Sequence, residues 1–145
     1  LMSETGRIIN LSSAAQAPVD LAALRGEVEL DDYEAYAQSK LAITMWSYEL
    51  AQQLKTSNGP SVIAVNPASL LGSKMVKEGW GIEGKDIGIG VKILIDLALS
   101  EELEGVSGRY FDNDLGAFAD PHRDCLDTSI RKTVVSEIIK YMKLS

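Results

Sequence analysis

The sequence predicts an α/β fold, and three observations support this. Short apolar runs rich in β-branched residues alternate with longer stretches of helical spacing, and Gly, Pro and Ser mark the boundaries between them. Apolar residues make up 46% of the 145 residues and charged residues 24%, which is typical of one globular domain. Strands that alternate with helices indicate a parallel sheet joined by right-handed crossovers.

The first strand is predicted at residues 7–11, a short β-branched and apolar run that follows Gly6. This run indicates burial on both faces, so the strand should have a neighbour on each side. Ser12 and Ser13 end it. The stretch 21–30 has a mixed pattern that favours neither a helix nor a strand.

A long helix is predicted from Asp31 or Asp32, either of which can cap it, to about Lys55. This stretch is rich in Ala, Leu, Gln, Met and Lys, it contains neither Gly nor Pro, and residues 57–60 end it. Its apolar residues occupy more than one side, so we expect a second packing partner besides the sheet. A two-fold contact with another copy would provide one, which predicts a homodimer or homotetramer.

A second buried strand is predicted at residues 61–66, and Pro67 ends it. The loop after it contains Gly79, Gly81 and Gly84, which we interpret as a flexible segment because they do not lie between a strand and a helix. The remaining predicted elements are a helix capped by Asp86 with apolar residues at positions 87, 91, 94, 95 and 98, a strand at 109–112 and an amphipathic helix over 130–142.

Tyr36 and Lys40 form the strongest local signal for chemistry. Residues four apart on a helix lie on the same face, one turn from each other. An ammonium at that place favours the charged form of a phenol, and a phenol with an ordinary pKa near 10 is a poor acid or base at neutral pH. On its own, however, this spacing is typical of an ordinary pair on a helix surface.

Small polar residues follow the first two predicted strands. Ser12 and Ser13 follow the first, and the run 66–73 follows the second. Open α/β sheets bind ligands at the carboxyl ends of their parallel strands, so both segments are candidates for one site. Taken singly, each is also typical of a turn.

These three segments, in this order, resemble the short-chain dehydrogenase/reductase family over essentially the whole chain. The run 39–42 (Ser-Lys-Leu-Ala) before a long amphipathic stretch, and the wide spacing between Ser13 and Tyr36, resemble the retinol-dehydrogenase-like branch. The resemblance implies the C-terminal half of a Rossmann-like doubly wound parallel sheet with flanking helices. It also implies an oxidoreductase that transfers hydride between NAD or NADP and a small-molecule alcohol or carbonyl substrate.

Individual roles follow from the same resemblance. Tyr36 corresponds to the general acid and base, Lys40 to the residue that holds the cofactor ribose, and Ser13, rather than Ser12, to the serine that binds the substrate oxygen. The implied cofactor-binding residues are Tyr36, Lys40, Pro67, Ala68, Ser69, Leu70 and Ser73. Hydroxyl groups directed at the substrate oxygen would stabilise the negative charge that hydride addition develops there.

The sequence departs from the family in two respects. The glycine-rich loop of the family's N-terminal half does not occur, so we expect residues 1–145 to form a single partial domain that lacks this half. We therefore expect the isolated chain to bind NAD or NADP weakly and to be inactive. The family's Pro-Gly is Pro67-Ala68 here, and a positive φ at Ala68 would cost about 1 kcal/mol.

Charge and cysteine content narrow the partners. Acidic residues outnumber basic ones by 21 to 14, and a net charge of −7 argues against a nucleic-acid partner. No apolar run is long enough for a membrane span. The single cysteine, Cys125, fits a reducing compartment such as the cytoplasm, and we interpret it as a passive thiol.

No metal site is predicted. His122 is the only histidine, and Asp112, Asn113 and Asp114 lack the rest of a calcium loop.

Two alternatives stay open beside the oxidoreductase. One is a non-catalytic interaction module in which the same fold serves oligomerisation. The other is an epimerase or dehydratase of the extended branch, which also carries a Tyr-x-x-x-Lys pair; the short region after residue 112 counts against it.

Overall fold

A computed structural model describes residues 6–144. Its elements, in chain order, are β1 (Arg7–Leu11), α1 (Leu21–Leu24), α2 (Asp32–Thr56), β2 (Ser61–Asn66), α3 (Lys74–Trp80), α4 (Ile87–Leu99), a 3-10 turn (Glu101–Leu103), β3 (Arg109–Asp112), β4 (Ala117–Ala119), α5 (Arg123–Leu126) and α6 (Thr128–Leu144). The three predicted strands and the three predicted helices are present, which confirms the α/β fold class.

The sheet has the order β1-β2-β3-β4. The first three strands run parallel, and β4 pairs antiparallel with β3. This last strand was not predicted, because three residues with two alanines give no strand pattern. Within residues 6–144, β1 pairs with β2 alone, so its expected second neighbour is not among them.

The helices α2 and α4 cover opposite faces of the sheet. Ile9 and Ile63 pack in one cluster with Leu97 of α4, whereas Asn10 donates a 2.8 Å hydrogen bond to Ser47 of α2. Since β1, β2 and β3 follow one another in a single direction, the two crossovers have opposite hands. The expectation that both are right-handed is therefore wrong. The strands are apolar on both faces, and two crossover helices can bury both faces only from opposite sides.

The second apolar side of α2 packs against α6 of the same chain. Leu41 and Met45 are fully buried in a cluster with Val134 and Val135. The argument for a second copy of the chain therefore loses its premise, and the homodimer or homotetramer stays a prediction.

A buried ion pair joins α2 and α6. The Arg131 Nε donates to the Glu49 Oε1 at 2.6 Å, and the Arg131 Nη1 donates to the carbonyl of Cys125, also at 2.6 Å.

Burial raises the pKa of Cys125 to about 12, which keeps the thiol neutral and unreactive, as expected of a passive thiol.

The loop after β2 contains more structure than the sequence predicts. Ser73 caps α3 by accepting a hydrogen bond from the backbone N–H of Val76, and Gly81 ends this helix with φ 66°. A helix of two turns that contains Gly79 shows no clear periodicity, so the segment was interpreted as a flexible loop. Part of that interpretation is wrong, because Gly79 lies within α3 and Gly81 forms its cap.

Candidate active site

A cavity of about 390 Å³ lies at the carboxyl ends of β1 and β2. The chain leaves β1 toward the face that α2 covers and leaves β2 toward the face that α4 covers, so the two connections diverge and leave a crevice between the strand ends. Such a crevice is the usual ligand site of open α/β sheets. All the predicted site residues line it: Ser13, Tyr36, Lys40, Pro67, Ala68, Ser69, Leu70 and Ser73.

The two serines after β1 have different environments. Ser12 is 3% exposed, its hydroxyl lies 2.6 Å from the Thr44 hydroxyl, and it also donates to the carbonyl of Lys40. This hydroxyl therefore ties the end of β1 to α2. Ser13 is only half-buried, and its hydroxyl accepts a 3.1 Å hydrogen bond from the backbone N–H of Ala15. The Ser13 hydroxyl thus keeps its own proton for donation to another group.

The backbone of Ser13 is held by two donors that the sequence did not indicate. Its carbonyl accepts hydrogen bonds from the Gln16 Nε2 at 3.0 Å and from the Tyr110 hydroxyl at 3.1 Å. Tyr110 comes from β3 and is buried, and burial raises its pKa, which keeps the phenol protonated as a donor. The Gln16 Oε1 also accepts from the backbone N–H of His122, so the start of α5 braces this loop.

Tyr36 and Lys40 share a face of α2 at the cavity, as their spacing predicts. The Lys40 Nζ lies 5.4 Å from the centroid of the Tyr36 ring and donates a 3.0 Å hydrogen bond to the carbonyl of Leu11. Partial burial lowers the pKa of Lys40. The ammonium therefore lies between the end of β1 and the phenol, with two of its three N–H groups free of this hydrogen bond.

The loop after β2 has a strained backbone. Ala68 has φ 144° and Leu70 has φ 57°, both in the region that L-residues rarely adopt. The position of the family's glycine does require a positive φ, and Ala68 adopts it. Strain of this kind costs about 1–3 kcal/mol per residue and persists only where the surroundings hold it.

Asp114, in the turn between β3 and β4, provides much of that support. Its carboxylate accepts hydrogen bonds from the Asn66 side chain, the Ser69 backbone N–H, the Ser69 hydroxyl and the Lys85 ammonium, at 2.5–3.2 Å. Burial alone would raise the pKa of Asp114, but the hydrogen bonds from Ser69, Asn66 and Lys85 outweigh it and lower the pKa to about 2. Next to it, the Asn113 side chain donates to the carbonyl of Pro67 at 2.8 Å.

The sequence did not reveal this role. A run of Asn, Asp and Gly between two strands is typical of a hairpin turn, and only the tertiary fold brings Asp114 to the end of β2.

Two glycines let other segments approach the loop closely. A Cβ at Gly84 would lie 2.7 Å from the carbonyl oxygen of Leu70, and a Cβ at Gly90 of α4 would lie 2.6 Å from the Leu71 Cδ1. The backbone N–H of Lys85 donates to the carbonyl of Leu70 at 2.7 Å. The interpretation of Gly84 as part of a flexible segment is therefore wrong, because Gly84 is packed against the loop.

The cavity continues into an open groove between the start of α2 and α3. Tyr33, Tyr36 and Met75 line both spaces. The groove has a volume of about 950 Å³, and charged side chains of Asp32, Lys74 and Glu78 stand around it. Tyr33 and Met75 were not among the predicted site residues, because single exposed apolar residues on helices carry no distinctive pattern.

The part of the chain that the structure describes, residues 6–144, lacks two classes of feature. No group of three or more His, Cys, Asp or Glu side chains there is arranged to hold a metal ion. No helix in the same part of the chain has the length and apolar character needed to cross a membrane.

Comparison with known proteins gives relatives of one kind. No family model matches the chain. Retinol dehydrogenase 13 of Mus musculus is 35% identical over 127 residues, which cover 76% of this chain and 38% of the relative. Polyprenol dehydrogenase of Mus musculus is 27% identical over 144 residues, with 90% of this chain and 42% of the relative covered. Retinol dehydrogenase 12 of Bos taurus is 32% identical over 120 residues, with 75% of this chain and 37% of the relative covered.

The chain thus spans about two fifths of the length of the curated relatives it matches. These relatives are members of the family that the order of motifs indicated, and the fold brings those motifs to one cavity. The chain therefore belongs to the short-chain dehydrogenase/reductase family, and it matches retinol-dehydrogenase-like members over part of their length.

Proposed function

We propose that this chain supplies the proton-transfer side of an oxidoreductase that moves hydride between NAD or NADP and an alcohol or carbonyl substrate. One observation carries the proposal: Ser13, Tyr36 and Lys40 line the same cavity, at the crevice between β1 and β2. The relatives support it at the level of a dehydrogenase, since all of those named are dehydrogenases.

The proposed chemistry follows from the groups that line the cavity. When bound, a nicotinamide cofactor would supply the hydride chemistry that interconverts a carbonyl and an alcohol. As negative charge develops on the substrate oxygen, the Ser13 hydroxyl donates a hydrogen bond to it and the Tyr36 hydroxyl donates its proton. In the reverse direction, Tyr36 accepts the proton of the alcohol. The Lys40 ammonium, oriented by the carbonyl of Leu11, lies beside the phenol ring and would hold the ribose of the cofactor.

The cavity fits the nicotinamide end of such a cofactor. Lys40 has N–H groups available for ribose hydroxyls, and the strained loop 67–71 forms the opposite wall. We further propose that the groups for the pyrophosphate and adenosine lie outside these 145 residues, so that the chain is a partial domain. Two or three charge-assisted hydrogen bonds of about 1.5–3 kcal/mol each are of the same order as the ~4 kcal/mol or more lost on association. Binding by the chain alone should therefore be weak, with a dissociation constant in the millimolar range.

The substrate that the site favours is an apolar alcohol or the corresponding carbonyl compound. Much of the cavity lining is apolar, namely the side chains of Leu11, Tyr33, Leu70, Leu71, Met75 and Ile87. Retinol and polyprenol, the alcohols in the names of the relatives, are long and apolar, and such a chain could extend along the groove beside α3.

A titration with half-cofactors tests the proposal. We expect reduced nicotinamide mononucleotide at millimolar concentration to shift the 1H–15N signals of residues 12–15, 36–40 and 67–73 in the 145-residue chain. AMP, the other half of the dinucleotide, is the matched control and should leave those signals in place. Shifts confined to other parts of the chain, or none at 10 mM (about the limit of the expected range), would contradict the proposed site.

A further inference from the structure

Ser69 lies between the two strained residues of the loop. Ala68 on one side has φ 144° and Leu70 on the other has φ 57°, so a residue with a positive φ stands on each side of Ser69. Nothing in these side chains compensates for the strain, because neither is a glycine or an asparagine. The groups that hold Ser69 therefore help to keep the loop in this shape.

Asp114 accepts hydrogen bonds from both donor groups of Ser69. The Ser69 backbone N–H and hydroxyl donate to the Asp114 Oδ2 at 3.0 and 2.5 Å. The same oxygen accepts from the side chain of Asn66, which is 1% exposed at the end of β2. The loop is thus anchored to the end of the strand that leads into it.

A second anchor reaches Asp114 from the far side of the loop. The Lys85 ammonium donates to the Asp114 Oδ1 at 3.2 Å, and the Lys85 backbone N–H donates to the carbonyl of Leu70 at 2.7 Å. Lys85 therefore contacts the loop directly and also through the carboxylate. Asp112, the other carboxylate near this cluster, accepts from Asn66 and from the backbone N–H of Asp114.

We propose that Asp114 is the positioning residue of the cavity wall: through Ser69, Asn66 and Lys85 it holds the loop 67–71 in the strained shape that faces Tyr36 and Lys40. It does not line the cavity, so it acts through the loop. The proposal rests on the proposed function insofar as that wall receives the nicotinamide end of the cofactor.

A carboxylate suits this place better than its amide. Four donors converge on Asp114, and an ionised carboxylate offers about four acceptor sites and no donor. An asparagine would direct N–H groups at Asn66, Ser69 or Lys85, all of which are donors there. The change Asp114→Asn therefore alters the hydrogen bonding of the loop while conserving the volume of the side chain.

The test is amide hydrogen exchange of the 145-residue chain, measured by NMR without any ligand. In the unmodified chain, the Ser69 N–H should exchange at least about tenfold more slowly than a free loop amide, because it is hydrogen-bonded to Asp114. Asp114→Asn and Asp114→Ala should each remove this protection. The N–H of Ser12, which donates to Val65 within the sheet, should keep its protection. The matched control is Asp127→Asn, since Asp127 also accepts backbone N–H groups but lies at the start of α6.

Relief of the strain separates positioning from a merely structural role. In the background of Asp114→Asn, the second change Ala68→Gly should restore part of the protection of the Ser69 N–H, because the loop shape then costs less to hold. A hairpin residue without a role in the loop would give additive effects and no rescue.

The outcomes for this inference and for the proposed function are distinct. The inference is overturned if the Ser69 N–H is unprotected in the unmodified chain. It is also overturned if both Asp114 variants protect this N–H as well as the unmodified chain does. Neither result depends on the outcome of the nucleotide titration. If reduced nicotinamide mononucleotide shifts no signals of the unmodified chain while Asp114→Asn still removes the protection of the Ser69 N–H, the proposed function fails and the positioning role stands. Loss of both the protection and the nucleotide response in Asp114→Asn supports the two together.

Discussion

The ammonium of Lys40 donates a 3.0 Å hydrogen bond to the carbonyl of Leu11, the last residue of β1. This bond fixes the position of the charge relative to both the sheet and the Tyr36 ring, which lies 5.4 Å away. Lys40 thus belongs to the fold as well as to the cavity.

Replacing this lysine should separate those two roles. Lys40→Met keeps the length of the side chain but removes the charge and the bond to Leu11, so we expect a loss of about 1 kcal/mol of stability. The response to reduced nicotinamide mononucleotide should weaken at least about tenfold, since a hydrogen bond to a charged group contributes about 1.5–3 kcal/mol. Lys92→Met, on the exposed side of α4, is the control and should change neither quantity appreciably. An unchanged nucleotide titration in Lys40→Met would remove Lys40 from the site.

Alanine substitution should lower the stability more at Ser12 than at Ser13. Ser12→Ala removes a buried hydroxyl that pairs with Thr44 and should cost about 1 kcal/mol in urea unfolding. Ser13→Ala should leave the stability within about 0.5 kcal/mol, because its hydroxyl is partly exposed and accepts a single local bond. If Ser13→Ala proves the more destabilising of the two, the assignment of Ser13 to substrate binding loses its structural basis.

Glycine at position 68 should stabilise the protein. Ala68 has φ 144°, which a glycine adopts without a Cβ clash, so Ala68→Gly should raise the free energy of unfolding by about 1 kcal/mol. Ala14→Gly is the matched control, because Ala14 is an exposed loop residue without a positive φ and should lose stability on the same change. Thermal unfolding of the unmodified chain and both variants measures the sign of each change in stability. A loss of stability in Ala68→Gly would contradict the prediction.

The buried ion pair should be costly to break and cheap to replace. Arg131→Met leaves Glu49 buried without its partner and should destabilise the chain by about 3–5 kcal/mol. The double change Glu49→Leu with Arg131→Met should recover most of that loss, because no unpaired charge is left. Chemical unfolding of the two variants measures both effects; equal losses would show that packing, not charge, dominates here.

Asp114 should make the free energy of unfolding depend on pH in the acidic range. Its pKa in the folded chain is about 2, below its ordinary value of 3.8, so the unfolded chain binds the proton more readily. The contribution of this carboxylate to stability is therefore fully present at a pH above its ordinary pKa, and it is lost as the pH falls toward 2. The stability difference between the unmodified chain and Asp114→Asn should shrink between pH ~5 and ~2. A difference that stays constant over this range would show that the carboxylate is not stabilised in the folded state.

Much of the fold could be predicted because it rests on local patterns. The strands at 7–11 and 61–66 and the helix that begins at Asp32 follow from apolar runs, caps and breakers within a few residues of each other. The β4 strand and α3 could not be predicted, since each is short and is stabilised mainly by the neighbours it packs against. The same holds for the second side of α2, which the sequence could not assign to α6 or to another copy of the chain.

The candidate site divides in the same way. Tyr36 and Lys40 are one helical turn apart, so their spacing alone places them on one face. Asp114 contacts Ser69 from 45 positions away, and Tyr110 contacts Ser13 from 97 positions away. Contacts at such separations depend on the strand order and register, which local sequence does not contain.

The opposite hands of the two crossovers place the two sides of the site in separate layers of the protein. The layer of α2 carries Tyr36 and Lys40, and the layer of α4 continues from the loop 67–71. Substitutions that repack α4 against the loop, for example around Gly90 and Leu71, can therefore reshape that wall of the cavity while Tyr36 and Lys40 keep their own support. Such a fold can change the lining of one side of the cavity independently of the other.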